Sequence, residues 1–330
     1  MSGLQESAGQ ALSRRGLLKF GAGLAAATTA AGFAGGQARA AVPEGRFLLD
    51  TPSYNRLWKN PLHDVTVLQS LAFDNVNNHI YTAQVQSGST TAKNGDLVIT
   101  KLSLTGTKLG YMILKGFGHG VAIGVEPVGA TAYLWTETDG ASDGENAWGR
   151  KLARFRFVNG ATRTTASAEL TKYAPIAGAT SLTCAIDPST NRLIMRHRMN
   201  GQARFAVYLL DDLKAGRTDN KLYDFAEPLA VDLANFQGYT AYGNYVYTLD
   251  GHGYSTTNPP PGDTYVTSID MRTGAQVERF LTQAGKSLDL REPEGMAIQL
   301  ENGAPKLCFG LASGAAGARR ASVFFKETLV

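Results

Sequence analysis

The chain has 330 residues, 43% of them hydrophobic and 18% charged, with only two cysteines. Its formal net charge is +4, but four of its 32 Lys and Arg and one of its 28 Asp and Glu fall in the first 40 residues, leaving a balance of +1 beyond them. Such a remainder offers no electrostatic footprint for nucleic acid or an anionic membrane, and two cysteines without a CxxC exclude a disulfide-dense module and a cysteine-based zinc site.

The first expected element is not part of the fold. Ser13-Arg14-Arg15-Gly16-Leu17-Leu18-Lys19 has the form of a twin-arginine export signal. An apolar, Ala/Gly-rich stretch follows from Phe20 to Phe33, then Ala38-Arg39-Ala40, a small-x-small cleavage pattern. The apolar run is too short and too Gly-rich to stay as a membrane span, and no later segment qualifies. The expectation is that residues 1–40 are removed, that 41–330 form one domain, and that this domain is exported folded to the extracellular space or the cell wall. In that compartment Cys184 and Cys308 either pair or remain two structural thiols.

Beyond residue 41 the chain lacks long stretches of helical period. Short β-branched and aromatic runs are broken by Gly, Asn and Asp, which predicts an all-β fold. After FLLDTPSYNRLWKN (47–60) come five segments with one grammar: a polar residue, an apolar strand, a turn and a second strand. They are QSLAFDNVNNHIYTAQ (69–84), HGVAIGVEPVGATAYLWTE (119–137), SLTCAIDPSTNRLIMRH (181–197), QGYTAYGNYVYTLD (237–250) and EGMAIQLENGAPKLCFG (294–310). Their starts lie 50, 62, 56 and 57 residues apart, and each is followed by a third strand: DLVITKLSL, KLARFRFV, RFAVYLL, TYVTSIDM and ASVFFKE. Units of this length with three or four strands have the size of propeller blades, so the spacing predicts a five-bladed β-propeller. Outer fourth strands are expected at TKLGYMILK (107–115) and near 161–170, 221–229 and 275–281. The fifth unit has no outer strand of its own, and an uncovered edge is an aggregation hazard. The N-terminal 47–60 run is expected to fill that place and close the ring.

In a propeller the start of strand one and the end of strand two of every blade emerge on one face. Reading down the first position gives Gln69, His119, Ser181, Gln237 and Glu294. The second gives Gln84, Glu137, His197 and Asp250, with Arg196 and Arg198 alongside and His252 just beyond. Any one of these serves equally well as a channel group that binds water and satisfies backbone. As a set they mix carboxyl, imidazole, amide and guanidinium, which suits a hydroxyl-rich, partly anionic ligand. The loop TETDGASDGENAWG (136–149) adds four acids and Trp148, and DGHGYSTTNPPPGD (250–263) adds His252 and Tyr254. Trp148 and Tyr254 are candidate platforms for a sugar ring. The acidic loop is a weak Ca²⁺ candidate whose spacing is not that of an EF-hand; no other metal or cofactor is expected. HExxH, GxSxG, a P-loop and a dinucleotide fingerprint are all missing.

The run LQSLAFDNVNNHIYTAQ, with GHGVAIGVEPVGATAYLWTE and the later EPEGMAI, resembles the β-propeller domain of the teichoic acid biosynthesis protein C family. Secreted actinobacterial proteins and receptor-binding proteins of some staphylococcal phages share that domain. The resemblance covers Phe47 to Val330. It implies a five-bladed propeller that meets cell-surface glycopolymers, in the phage case wall teichoic acid, and it brings no catalytic set to transfer.

The leading expectation is therefore a secreted, monomeric, cell-wall-associated propeller that binds a glycopolymer, teichoic acid or another anionic polysaccharide, at its polar rim. Its ligand-binding candidates are Gln69, Gln84, Glu137, Trp148, Arg198, Gln237, Asp250 and His252. The alternative is an enzyme on the same face. A lyase acting on a uronic acid needs a cation for the carboxylate, supplied by Arg196 or Arg198. It also needs a base, His119 or His197, with Tyr254 as acid. A glycosidase instead needs two carboxyl groups, for which Glu137 and Glu294 are the available pair. A scaffold that uses its outer face for protein partners is a third option.

Overall fold

The computed structural model describes residues 41–232 and 235–330. The export signal expected over 1–40 lies outside the described residues.

Five four-stranded antiparallel blades form, the first four running from the ring axis outward in chain order and the fifth taking its outermost strand from the N-terminal part of the chain. Blade one comprises Leu68–Asp74, His79–Val85, Leu97–Ser103 and Lys108–Lys115. Blade two comprises Gly124–Val128, Thr131–Thr138, Lys151–Arg156 and the short Thr171–Tyr173. Blade three is Thr180–Asp187, Arg192–Met199, Gln202–Leu209 and Lys221–Ala226. Blade four is Phe236–Tyr242, Tyr245–Asp250, Tyr265–Asp270 and Gln276–Leu281. Blade five is Glu292–Glu301, Ala304–Ser313 and Arg320–Lys326, with the N-terminal Tyr54–Asn60 as its outer strand. The fold is the five-bladed propeller the spacing predicts, closed by its N-terminal strand.

Two expectations need correction. The segment near 161–170 is not the outer strand of blade two: Thr162–Thr164 adds in parallel to the edge of blade one, and Thr171–Tyr173 takes the predicted place. The inner strand of blade two begins at Gly124 rather than beside His119. The cause is local. The backbone N–H groups of His119 and Gly120 donate to the Glu137 carboxylate, so that stretch cannot also pair as a strand.

Turns joining first and second strands follow a shared recipe. Asp74 and Asp187 accept hydrogen bonds from the residues that follow them, in the manner of an Asx turn. Asn78, Asn191 and Asn302 close the turns at φ of 58°, 52° and 52°, a region asparagine tolerates better than most residues.

Each interface between neighbouring blades holds one cluster of buried apolar side chains, five in all. Alternation along each strand sends one set of side chains to the preceding blade and the other to the next. The cysteines fall in separate clusters, Cys184 between blades two and three and Cys308 between blades five and one, and both are free thiols. The channel is also apolar. Leu71, Ile123, Val125, Ile186, Met296 and Ile298 leave a void of only about 20 Å³, room for roughly one water.

Ring closure runs through an N-terminal strap. Phe47 bridges Leu329, and Arg46 exchanges backbone hydrogen bonds with Val330 at 2.9 Å each. The Phe47 ring is fully buried between Tyr242 and Tyr247, at 5.5 and 5.6 Å, and its N–H donates to the Tyr247 hydroxyl. Phe47→Ala should cost about 3–5 kcal/mol in urea unfolding, as for other buried phenylalanines. A cost below about 1 kcal/mol would show that Phe47 does not hold the strap at the interface of blades four and five.

Candidate ligand-binding site

The mouth of the channel is shaped by close backbone approach. The inner strands of blades one, three, four and five all slip register at their first residues, between Leu68 and Ser70, Thr180 and Thr183, Phe236 and Gly238, and Glu294 and Met296. Such bulges bend a strand and re-aim its side chains. Here they turn the first-position residues out of the narrow centre. Gly295, at φ +70°, shows how narrow it is: a Cβ there would sit 2.5 Å from the Ser70 Cα.

In blade two a carboxylate replaces the bulge. Glu137 is fully buried and accepts N–H groups from His119 (3.0 Å), Gly120 (2.6 Å) and Gly149 (2.6 Å). Burial pushes its pKa up to about 7, against the opposing pull of these backbone donors. The GFGHG run thus curls around a side chain, which is why its central position is glycine. A Cβ on Gly118 would lie 2.1 Å from Glu137 Oε2, and one on Gly149 would lie 2.3 Å from the Glu137 Cβ.

This loop sets the wall of a cavity of about 390 Å³, lined by Val121, Trp148, Ser181, Thr183, Arg196, Arg198 and Phe236. The Trp148 ring is held on both sides. It stacks on His119 with centroids 4.9 Å apart, and its indole N–H donates to Asp143 Oδ2 at 2.7 Å. Asp143 also accepts from the backbone of Asn146 and Glu145, which hold its carboxyl down at about 2. Across the cavity Arg196 makes a bidentate pair with the buried Glu227, its closest contact 2.6 Å, and lies over the Phe236 ring at 3.7 Å. Arg198 donates to the Gly201 carbonyl at 2.7 Å. A planar aromatic, a second ring, two guanidinium groups and two hydroxyls therefore face one space.

Residues 67–325 match the family described as the phage 5-bladed β-propeller receptor-binding platform domain. The chain belongs to this family. A Bacillus subtilis (strain 168) relative, named "Putative major teichoic acid biosynthesis protein C", is 32% identical over 273 residues, 79% of this chain and 59% of the relative. The tail fibre of Staphylococcus aureus phage P68 has the same fold, with a TM-score of 0.70 at 23% identity over 85% of this chain and 54% of the fibre. The chain thus spans little more than half the length of either.

The remaining candidates fall into three groups. Gln84, Glu137 and Asp250 are buried and engaged. Gln84 Nε2 donates to the Asp64 and Thr66 carbonyls, and Asp250 takes a bidentate contact from Arg279 at 2.6 and 2.7 Å. His197 is buried on the opposite face of its strand from Arg196 and Arg198, and burial lowers its pKa to about 4. Gln69, Gln237, His252, Tyr254 and Glu294 do not line the cavity. Gln237 donates to the Gly251 carbonyl and His252 is bonded to Asp263 at 2.7 Å. Tyr254 packs against Arg291. Glu294 is buried, and desolvation reinforced by Glu292 holds its carboxyl well above the usual range. Among the described residues no group of three or more His, Cys, Asp or Glu is placed to hold a metal ion, the acidic 136–149 loop included.

Val121, Thr183, Phe236 and Glu227 were not marked by the sequence pattern. Phe236 directly precedes Gln237, one of the first-position residues, so its place at the rim was within reach of the repeat. Nothing in the local sequence ties Glu227 to Arg196.

Two outcomes test this construction. Gly149→Ala drives a methyl into Glu137 and should lower Tm by several degrees; an unchanged melting curve would mean the carboxylate does not organise the loop. Burial lowers the His119 pKa to about 4, with Asp143 opposing. The folded protein then binds fewer protons than the unfolded chain between about pH 4 and 6.5, so stability falls as pH drops through that window. His119→Phe keeps a ring under Trp148 and should flatten this limb, read from urea midpoints at pH 4.5 and 7. An identical limb in the variant rejects the burial of His119.

Proposed function

We propose that this propeller is exported and recognises an anionic glycopolymer of the cell envelope, teichoic acid or another acidic polysaccharide, in the cavity between Trp148 and Arg198. The observation that carries the reading is the joining of an aromatic wall to two guanidinium groups and two hydroxyls in one open cavity. Guanidinium groups recognise phosphate and carboxylate oxygens by charge-assisted hydrogen bonds. The C–H face of a sugar packs on an aromatic plane, and Ser181 and Thr183 offer partners to its hydroxyls. Arg198 and Arg196 both line the cavity, and we assign their guanidinium groups to anion recognition, with Arg196 fixed in place by Glu227. The family and the name of the B. subtilis relative support a wall polymer as ligand. Export rests on the twin-arginine pattern, and we propose that a monomer acts outside the cell.

Binding is favoured over cleavage by the placement of the proton-transfer candidates. A lyase needs its base beside its cation. His119 backs Trp148 without lining the cavity, His197 faces the other side of the sheet, and Tyr254 belongs to another loop.

The test is retention on purified cell walls before and after removal of teichoic acid. Trp148→Ala and Arg198→Ala should each weaken retention about tenfold or more, and added salt should weaken the wild type most. Equal retention on stripped walls rejects teichoic acid as the ligand, and undiminished binding by both variants rejects the site.

A further inference from the structure

The flank of the ring, where the N-terminal strap passes between blades four and five, holds a second cavity of about 340 Å³. Asp50, Thr51, Pro52 and Ser53 of the strap line one side, Phe280 to Ala284 another, and Lys326 forms its inner end. Lys326 is only 1% exposed. Its ammonium donates to the Thr51 carbonyl at 2.5 Å and lies 5.4 Å from the centre of the Phe280 ring. Among the described residues no carboxylate forms an ion pair with it. Glu278 is already bound to Arg46 and to the Leu49 N–H, and Asp50 is exposed. A buried ammonium with one neutral acceptor is costly to keep. Burial accordingly lowers its pKa to about 8, although Asp50 and Glu278 pull the other way. Apart from the exposed Asp50 carboxylate at the outer side, the neighbouring polar side chains can donate hydrogen bonds. Thr282 is buried, and its oxygen accepts from the Ala284 N–H, leaving its own proton to give. Ser53 and Gln283 add a hydroxyl and an amide.

We propose that this cavity binds a small oxyanion, a carboxylate or phosphate group, which supplies the counter-charge that Lys326 lacks. The site shares no residue with the Trp148–Arg198 cavity and stands independently of the function assigned there.

The experiment is a thermal-shift titration of the full chain with potassium acetate and with potassium phosphate at pH 7, against chloride at matched ionic strength. A saturable rise in Tm with either anion is expected in the wild type, together with its loss in Lys326→Met, while retention on cell walls persists in the variant. Because the anion favours the protonated amine, the response should fade as pH rises past about 8 to 9. Equal responses in wild type and variant, or none in the wild type, overturn the proposal. Should Lys326→Met fail to fold, limited acylation of the native protein with acetic anhydride decides instead. Phosphate or acetate should protect Lys326 from labelling in the peptide map, and labelling indifferent to both anions overturns the site.

Discussion

Each blade buries both of its faces against its neighbours, so no blade is complete until the ring is. This constraint governs the rest of the molecule. Four of the five interfaces join blades that follow one another in the chain. The fifth must join the last blade to the first, and the chain solves it by giving blade five an outer strand from residues 54–60, while the strap before that strand pins Phe47 against two tyrosines of blade four. The same closure leaves a strap lying over the flank, and the cavity beside Lys326 exists only because that strap crosses there. A β-sheet edge that would otherwise invite aggregation is thereby used up.

Closure also makes the centre crowded, and crowding explains where the polar groups went. Inner strands that converge on one axis leave no width for side chains of mixed polarity. Aliphatic residues fill the lumen, and bulges or tight glycines deflect the first residues of each strand outward. Blade two uses another device, a buried carboxylate that gathers three backbone N–H groups. Its effect is to shorten the inner strand, which opens the space that Trp148 and the two arginines enclose. The mixed set of polar residues therefore separates into groups engaged in buried hydrogen bonds, such as Gln84, Glu137 and Asp250, and groups that line the cavity, such as Ser181, Arg196 and Arg198.

The period of two in a β-strand sharpens that separation. Arg196, His197 and Arg198 are adjacent in sequence, yet only the arginines share the cavity, because successive side chains point to opposite faces. The imidazole is consigned to the packed side, where burial keeps it neutral. His119 is also kept neutral by burial, beneath Trp148. Neither histidine lines the cavity, which is walled by guanidinium, hydroxyl, aromatic and aliphatic side chains.

The repeat of polar start, apolar strand, turn and second strand carried the all-β class, the number of blades, most strand positions and the closing role of residues 47–60. These follow from local periodicity and turn chemistry, which neighbouring residues specify among themselves. Arg196 and Arg198 stood out because the repeat places them at the end of a second strand, and Trp148 because it is the aromatic of the acidic loop that follows blade two's second strand. What the repeat did not contain was which of these residues line the cavity and which are engaged elsewhere. Glu227 reaching Arg196 across 31 positions, the Glu137 carboxylate inside a glycine-rich turn, and Lys326 beneath a strap some 275 residues away are contacts between distant segments. Only the folded ring brings them together, because burial and hydrogen-bond pairing depend on what packs against a residue and not on what precedes it.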